Sequence, residues 1–357
     1  MSKFSETIFL TGFPGFIAGK LVKQLAKSDT QFFLLVQRNF VEKAMKDIEK
    51  ISAESNIPLE NFALIEGDIT KSDLGMSADD LQTVLDETTS VYHLAAIYDL
   101  AVKKNIGYTV NVEGTKNVNE VVKKIKNLQR YNYISTCYVA GKRKGLVHEA
   151  ELAHDAGFHN YYDETKYLAE VEVEKLKADY PVTIFRPAVV VGDSKTGETI
   201  KYDGIYYVIN YIRKFPALFR LINVGNDMVK VNLVPVDFVV DGIVALAKDE
   251  RAVGKTIALA DPNPLTTAEA CDQISLAICG KKSVAKLPPN LMQSILMLPF
   301  TPAFSGLPHE GVPYFFSPQE FETGVSTELL SAHGVSCPSF KDYVKTLVKF
   351  VEKNPKL

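Results

Sequence analysis

Tryptophan is absent from this chain of 357 residues, and cysteine occurs only four times. Cys137, Cys271, Cys279 and Cys337 form no C-x-x-C pair and no zinc-finger spacing, which excludes a disulfide-stapled scaffold. They read as reduced thiols of a cytoplasmic protein, with Cys271 and Cys279 expected as small buried residues of one helix. The six histidines do not cluster with acids at ligand spacing, so no metal site is expected. Excess positive charge is missing too: the formal net charge is -3, which gives no electrostatic reason to expect nucleic acid or an anionic membrane as partner, although a net figure does not exclude local basic patches. No apolar run approaches the roughly eighteen residues of a spanning helix, and the N-terminus reads as a first strand rather than a signal peptide. What remains is an ordinary globular composition, 46% hydrophobic and 23% charged, long enough for a large α/β domain with a substantial appendage.

The most informative segment is Thr11-Gly12-Phe13-Pro14-Gly15-Phe16-Ile17-Ala18-Gly19. It follows the β-rich Thr7-Ile8-Phe9-Leu10 and leads into the helical Leu21-Val22-Lys23-Gln24-Leu25. Strand, glycine turn and helix in succession make a dinucleotide phosphate site. Gly12 permits the tight turn, Gly15 removes a side chain where a pyrophosphate must meet backbone N–H groups, and the helix N-terminus adds partial positive charge. At the end of the second strand, a carboxylate would bind a ribose 2′-OH and a cation a 2′-phosphate. The chain has Gln37-Arg38 there and no acid, which favours NADP.

Short β-rich runs at 32–36, 63–66, 91–94, 131–135 and 182–185 alternate with amphipathic stretches such as 41–51 and 77–86. This alternation predicts an α/β fold built on a doubly wound parallel sheet. Ile106, Val110, Val118, Val121, Val122 and Ile125 recur at helical spacing and predict one long core-facing helix over 105–125. After Gly192 the pattern becomes irregular through a tyrosine cluster, and a β-rich run returns at 229–236, followed by a helix to Lys248 and a strand at 256–259. The dinucleotide-binding domain is expected over 1–195 and 228–262, and a smaller substrate-binding region over 196–227 and 263–357. A closing helix is expected at 339–351.

Y-x-x-x-K occurs twice, at Tyr138 to Lys142 and at Tyr162 to Lys166. In a helix, residues four apart share a face, so an ammonium can sit beside the phenol. Gly141 precedes the first lysine and argues for a loop, whereas Tyr162 opens a strong helical sequence. The second pair is therefore the one expected to carry chemistry.

Together these motifs resemble those of the extended short-chain dehydrogenase/reductase superfamily. The likeness rests on Thr11-Gly12-x-x-Gly15-Phe16-Ile17, Gly67-Asp68-Ile69, His93-Leu94-Ala95-Ala96, Asn111-Val112-x-Gly114-Thr115, Ser135-Thr136, Tyr162-x-x-x-Lys166 and Arg186-Pro187, in family order over about the first two hundred residues. Within it, the stretch from Val190 to Glu198 resembles the branch of fatty acyl reductases and thioester-reductase domains. The resemblance implies that Tyr162 is the general acid, that Lys166 holds the nicotinamide ribose, and that Thr136, with Ser135 as neighbouring candidate, orients the carbonyl. It implies a cofactor bed of Thr11, Gly12, Phe13, Gly15, Phe16, Ile17, Gln37, Arg38, Asp68, Ile69, Ala95, Ala96, Lys166, Pro187 and Val189. Ala18 stands where a third glycine is expected, with Gly19 adjoining. Asn111 would steady the active-site helix, and His93 is expected as a packed, hydrogen-bonded residue rather than a catalytic one.

The reaction implied is NADPH-dependent hydride transfer to a carbonyl of a lipophilic small-molecule substrate, an acyl thioester, aldehyde or ketone. Leu291, Met292, Ile295, Leu296, Met297, Leu298 and Phe300, followed by Phe304, Tyr314, Phe315 and Phe316, would suit an acyl or aromatic group. They would equally suit the core of the smaller region or a homodimer interface. Two alternatives stay open: a sugar-nucleotide epimerase or steroid-type dehydrogenase, and a non-catalytic NADP-binding regulatory protein. Elimination chemistry is disfavoured, since dehydratases of this superfamily carry Asp-Glu where Cys137-Tyr138 stand.

Overall fold

Residues 4–217, 222–298 and 309–356 are described by the computed structural model. Phe300 and Phe304 lie outside the described residues, as does the Met292 side chain. Seven strands form the main sheet: β1 (Glu6–Thr11), β2 (Thr30–Val36), β3 (Phe62–Glu66), β4 (Ser90–His93), β5 (Arg130–Ile134), β7 (Val182–Pro187) and β11 (Thr256–Leu259). Their order is β11-β7-β5-β4-β1-β2-β3. The pairings from β7 across to β3 are all parallel, with Thr11 opposite Leu35 of β2 on one side and His93 of β4 on the other. Strand order reverses between β1 and β4, and the crevice beyond their carboxyl ends is where such sheets bind ligands. The doubly wound α/β fold expected from the alternating pattern is present.

Apolar runs build this sheet because both of its faces are covered. All six residues of β1 are buried. Helices α1 (Phe16–Leu25), α2 (Val41–Ser55) and α3 (Ala78–Glu87) fall in the intervals between strands. The expected helix over 105–125 is instead three segments: α4 (Lys104–Gly107), a π-helical turn (Tyr108–Glu113) and α5 (Gly114–Val122). Val118, Val121 and Val122 join Phe9, Val91, Tyr131 and Val182 in one core cluster with Ala169 and Val173 of α6 (Tyr161–Glu174). Ile106, expected in the core, is 42% exposed, because the π turn breaks the 3.6-residue phase on which that expectation rested.

The chain divides into two compact units, Met1–Val139 with Tyr161–Arg186 and Val240–Ile257, and Ala140–Asn160 with Pro187–Val239 and Ala258–Leu357. In the second unit, β8 (Val189–Val191) pairs with β10 (Leu233–Pro235), β9 (Ile222–Asn223) with β12 (Ala285–Lys286), and β6 (Gly145–Val147) with β13 (Gln319–Phe321). Of the β-rich run at 229–236, only the β10 residues form a strand, and that strand leaves the main sheet to β11. The irregular stretch after Gly192 contains helix Ile205–Lys214, whose buried Ile205, Tyr206, Ile209 and Ile212 keep helical spacing beneath the tyrosines. They pack with Phe340, Val344, Leu347 and Val351 of helix Phe340–Lys353. Cys271 is buried as expected, but Cys279 is only half-buried at the helix end, and none of the four cysteines is in a disulfide.

Leu347 has no exposed surface in this second core. Leu347→Ala is expected to cost about 2–5 kcal/mol, measured by chemical denaturation.

Candidate active site

The turn after β1 shows why glycine stands there. Gly12 has φ +98°, and a Cβ on it would lie 2.8 Å from the Ala95 amide nitrogen and 2.9 Å from the Leu94 carbonyl carbon. The Gly15 N–H donates to the Gly12 carbonyl at 2.8 Å, and a Cβ on Gly15 would come within 2.6 Å of that oxygen. Gly15 is the N-cap of α1, with no side-chain cap and no acid in the first turn. The N–H groups of this helix end therefore have no carboxylate competing for them, an arrangement that fits a phosphate. Ala18 is buried against the sheet as a third glycine would be, while a Cβ on Gly19 would meet nothing within 4 Å, so Gly19 substitutes for nothing. Phe13 is buried beside the turn, and Phe16 and Ile17 are half-buried.

Thr11 faces the other way. Its hydroxyl pairs with His93 Nδ1 at 2.7 Å and accepts from the Ala95 N–H at 3.2 Å, tying the ends of β1 and β4 together. His93 Nε2 pairs with the Thr115 hydroxyl at 3.1 Å. Burial, and then the positive charge of Lys166, push the imidazole down to about 3. His93 is thus a neutral structural residue. Ala95 is half-buried and Ala96 exposed at the rim.

Past β2, Gln37 and Arg38 are both exposed. The Gln37 side chain bonds Asp68, which also accepts from the Thr70 N–H at 2.9 Å and the Thr70 hydroxyl at 2.8 Å. Partial burial raises the Asp68 carboxyl, but these hydrogen bonds outweigh it and hold the pKa below the ordinary carboxylate value. Ile69 is buried against Gly114, where a Cβ would lie 2.7 Å from its Cδ1. The glycine of the Asn-Val-x-Gly-Thr motif is therefore the seat of the Asp68-Ile69 pair. Sequence reasoning missed Lys43, whose Nζ donates to the Pro14 carbonyl of the glycine turn at 3.0 Å. A lysine five residues after Arg38 carries no local pattern that would have marked it.

The helix α6 brings Tyr162 and Lys166 onto one face, and Lys166 ties it to β5. Lys166 is 4% exposed, and its Nζ donates to the Ile134 carbonyl at 2.9 Å and the Tyr133 hydroxyl at 3.1 Å. The same ammonium lies 4.7 Å from the centroid of the Tyr133 ring. Burial pushes its pKa down to about 8 against the opposing pull of Glu170. Thr136 follows two residues beyond Ile134, with its hydroxyl accepting from the Tyr138 N–H at 3.2 Å. Ser135, the neighbouring candidate, is committed elsewhere: its hydroxyl donates to the fully buried Glu170 carboxylate, which also receives Nε and Nη2 of Arg186. Asn111, inside the π turn, accepts from the Ile97 N–H at 2.9 Å and donates to the Thr165 hydroxyl at 3.0 Å, so it clamps α6 from the side. Tyr162 is half-buried, edge-on to Tyr98 with centroids 5.3 Å apart.

The first Y-x-x-x-K divides as its sequence predicted. Tyr138 lies in the short 3-10 turn Cys137–Ala140, and Lys142 is exposed beyond Gly141, whose φ is +60°. Cys137 donates its thiol to the Arg186 carbonyl at 3.0 Å. Pro187 and Val189 belong to the second unit, where Pro187 is buried and Val189, half-buried, begins β8. Among the described residues no group of three or more His, Cys, Asp or Glu side chains is placed to hold a metal ion.

His93 fixes one pH dependence. Its folded pKa lies below the unfolded value of about 6.5, so the unfolded chain binds a proton that the folded one refuses. Its contribution is complete above about pH 6.5 and shrinks on acidification, by up to about 1.4 kcal/mol per pH unit. An NMR titration from neutral pH down to about 4 should show no imidazolium at His93, and His93→Gln should flatten the acid limb of stability.

A family model described as male sterility protein, an NAD-binding family, matches residues 10–243. The chain is 26% identical over 278 residues to the fatty acyl-CoA reductase wat of Drosophila melanogaster, covering 68% of this chain and 54% of that protein. It spans about half the length of that protein and of a second Drosophila melanogaster relative. The terminal R domain from the myxalamid PKS-NRPS biosynthetic pathway superposes with TM-score 0.82 at 23% identity, covering 100% of this chain and 93% of that one. A UDP-glucuronic acid 4-epimerase from Bacillus cereus, in complex with NAD, superposes with TM-score 0.68 at 20% identity, covering 98% of this chain and 100% of that one. These superpositions share the doubly wound fold, and the family match, over more than half of the chain, identifies it as a member of the NAD-binding male sterility protein family.

Proposed function

We propose that this protein is an NADPH-dependent reductase that converts the carbonyl of a lipophilic acyl substrate, with Tyr162 as general acid. The observation that carries the reading is the buried Lys166, one helical turn from Tyr162 and held at the end of β5 by the Ile134 carbonyl, two residues before Thr136. The uncapped α1 N-terminus and the glycine turn fit a dinucleotide pyrophosphate. Bound there, the nicotinamide would supply hydride. The chain's own residues do the rest: the Thr136 hydroxyl orients the carbonyl oxygen, and the Tyr162 hydroxyl gives up its proton to that oxygen as charge develops. Lys166 steadies the resulting phenolate and holds the cofactor ribose.

The choice of NADPH is supported by exposed Arg38 after β2 and by Lys43 reaching the Pro14 carbonyl of the glycine turn, with the Asp68 carboxylate already engaged by Gln37 and Thr70. An acyl substrate is supported by the relatives named fatty acyl-CoA reductases. Residues 196–227 and 263–357 are proposed to face the substrate.

Purified protein should consume NADPH when offered a medium-chain acyl-CoA or its free aldehyde, and Tyr162→Phe should lower kcat by about a hundredfold to ten-thousandfold. Turnover of aldehyde alone would move the assignment to a carbonyl reductase, and no turnover of either would contradict the reading. Arg38→Ala should raise the KM for NADPH at least about tenfold and leave NADH use unchanged, the loss expected of one charge-assisted phosphate contact. Because the Lys166 ammonium is lost as pH rises through about 8, kcat/KM should fall on the alkaline side with that midpoint.

A further inference from the structure

Tyr162 stands where a helix cannot steady its own side chain. Long helical side chains lean back over the turn that precedes them. Tyr162 is the second residue of α6, so no such turn lies beneath it and its ring has to be held from outside the helix. Lys166, one turn later, is fixed by β5. A general acid needs comparable precision, because its hydroxyl must come within about 2.6–3.2 Å of the atom it protonates and a misplacement of about 1 Å can cost about a hundredfold in rate.

The ring that meets Tyr162 is Tyr98, in the loop after β4. Their planes stand at 80° with centroids 5.3 Å apart, the edge-on arrangement that aromatic pairs prefer. This loop is anchored before and after Tyr98. Ala95 donates its N–H to the Thr11 hydroxyl at 3.2 Å, and Ile97 donates its N–H to Asn111 Oδ1 at 2.9 Å. Beyond Tyr98, the Asp99 carboxylate accepts from the Ala101 N–H at 2.9 Å and closes a turn. The Asn111 amide also donates to the Thr165 hydroxyl at 3.0 Å, and that hydroxyl donates to the Tyr161 carbonyl at 2.7 Å. One side chain of the π turn thus sets both the loop that carries Tyr98 and the first turn of the helix that carries Tyr162. Stability alone gives little reason for this tyrosine: 51% of its surface is exposed, and a ring left half in water gains only part of the free energy of burial.

We propose that Tyr98 is a positioning residue for the reductase reaction, acting through Tyr162. Its ring holds the Tyr162 phenol edge-on, so that the hydroxyl meets the carbonyl oxygen of a bound substrate. The proposal rests on the reading of Tyr162 as general acid, and Tyr98 itself passes no proton.

The test is a double-mutant cycle on the full chain with NADPH and whichever of the medium-chain acyl-CoA and its aldehyde is turned over. Tyr98→Ala should lower kcat by about threefold to a hundredfold, between the loss of one aromatic pair and a hydroxyl displaced by about 1 Å. Tyr98→Phe keeps the ring and should match the wild type. In a Tyr162→Phe background, Tyr98→Ala should alter kcat by less than about twofold, because no hydroxyl is left to misplace. The KM for NADPH should be the same in all four proteins of the cycle, which a general loosening of the fold would not allow. A second readout needs no turnover: in NMR of protein with isotope-labelled tyrosine rings, the Tyr162 resonance, identified by its loss in Tyr162→Phe, should move in Tyr98→Ala and stay in place in Tyr98→Phe. A wild-type kcat in Tyr98→Ala, a loss that persists in the Tyr162→Phe background, or an unmoved Tyr162 resonance would each overturn the proposal. Absence of turnover by the wild type would instead remove the reductase reaction, and Tyr98 as its positioning residue with it, whereas the resonance would still report whether Tyr98 holds the Tyr162 ring.

Discussion

An ammonium group buried in a protein must be held on every side or it loses its proton, and Lys166 is the side chain on which the proposed site depends. Its Nζ has two oxygen partners, the Ile134 carbonyl and the Tyr133 hydroxyl, and an aromatic face, but no carboxylate in contact. The nearest negative charge at work on it is Glu170, one helical turn further along α6, and that carboxylate is itself shared by Arg186 and Ser135. Breaking such a buried pair leaves an uncompensated charge and typically costs about 3–5 kcal/mol. The ends of β5 and β7 and the whole of α6 are therefore locked by one polar network. Lys166 is left close to the pH range in which a proton is readily moved.

The cofactor side of the first unit follows a different logic, because it is built mostly from backbone. Gly12 and Gly15 make a turn that no other residue could occupy without collision, and Thr11 and His93 spend their side chains on joining β1 to β4. Gly114 makes room for Ile69, which fixes Asp68 beside Gln37. The side chains left facing outward are Arg38 and Lys43, both cationic. A rigid backbone cradle with cations at its rim suits a ligand with a phosphate at each of two places, and a polar network with a poised lysine suits one proton transfer.

Much of this was legible in the sequence, and the reasons for the rest are physical. Parallel strands buried on both faces are continuous apolar runs, so β1, β2, β5 and β7 stand within two residues of where they were expected. The choice between the two Y-x-x-x-K pairs rested on Gly141, whose positive φ places the first lysine beyond a loop. The π turn at Tyr108–Glu113 was not legible, since one extra residue per turn leaves no mark on composition, and it shifted Ile106 out of the core. Helix Ile205–Lys214 was hidden by tyrosines, whose rings are apolar enough to be buried and polar enough to blur the stripe. Periodicity could not tell that Leu291 and Ile295 of helix Pro289–Leu296 are exposed rather than buried, because it reports that a helix has a face and not what meets it. Contacts between distant residues, such as Lys43 with Pro14 or Ser135 with Glu170, exist only once the sheet has formed.

Hydride transfer itself can be followed directly. With NADPH carrying deuterium in place of both hydrogens at nicotinamide C4 and a medium-chain acyl-CoA as substrate, mass spectrometry of the product reads where the label goes. Deuterium bonded to the former carbonyl carbon is the predicted result, and a product formed without deuterium at that carbon would contradict a reductase working from this site.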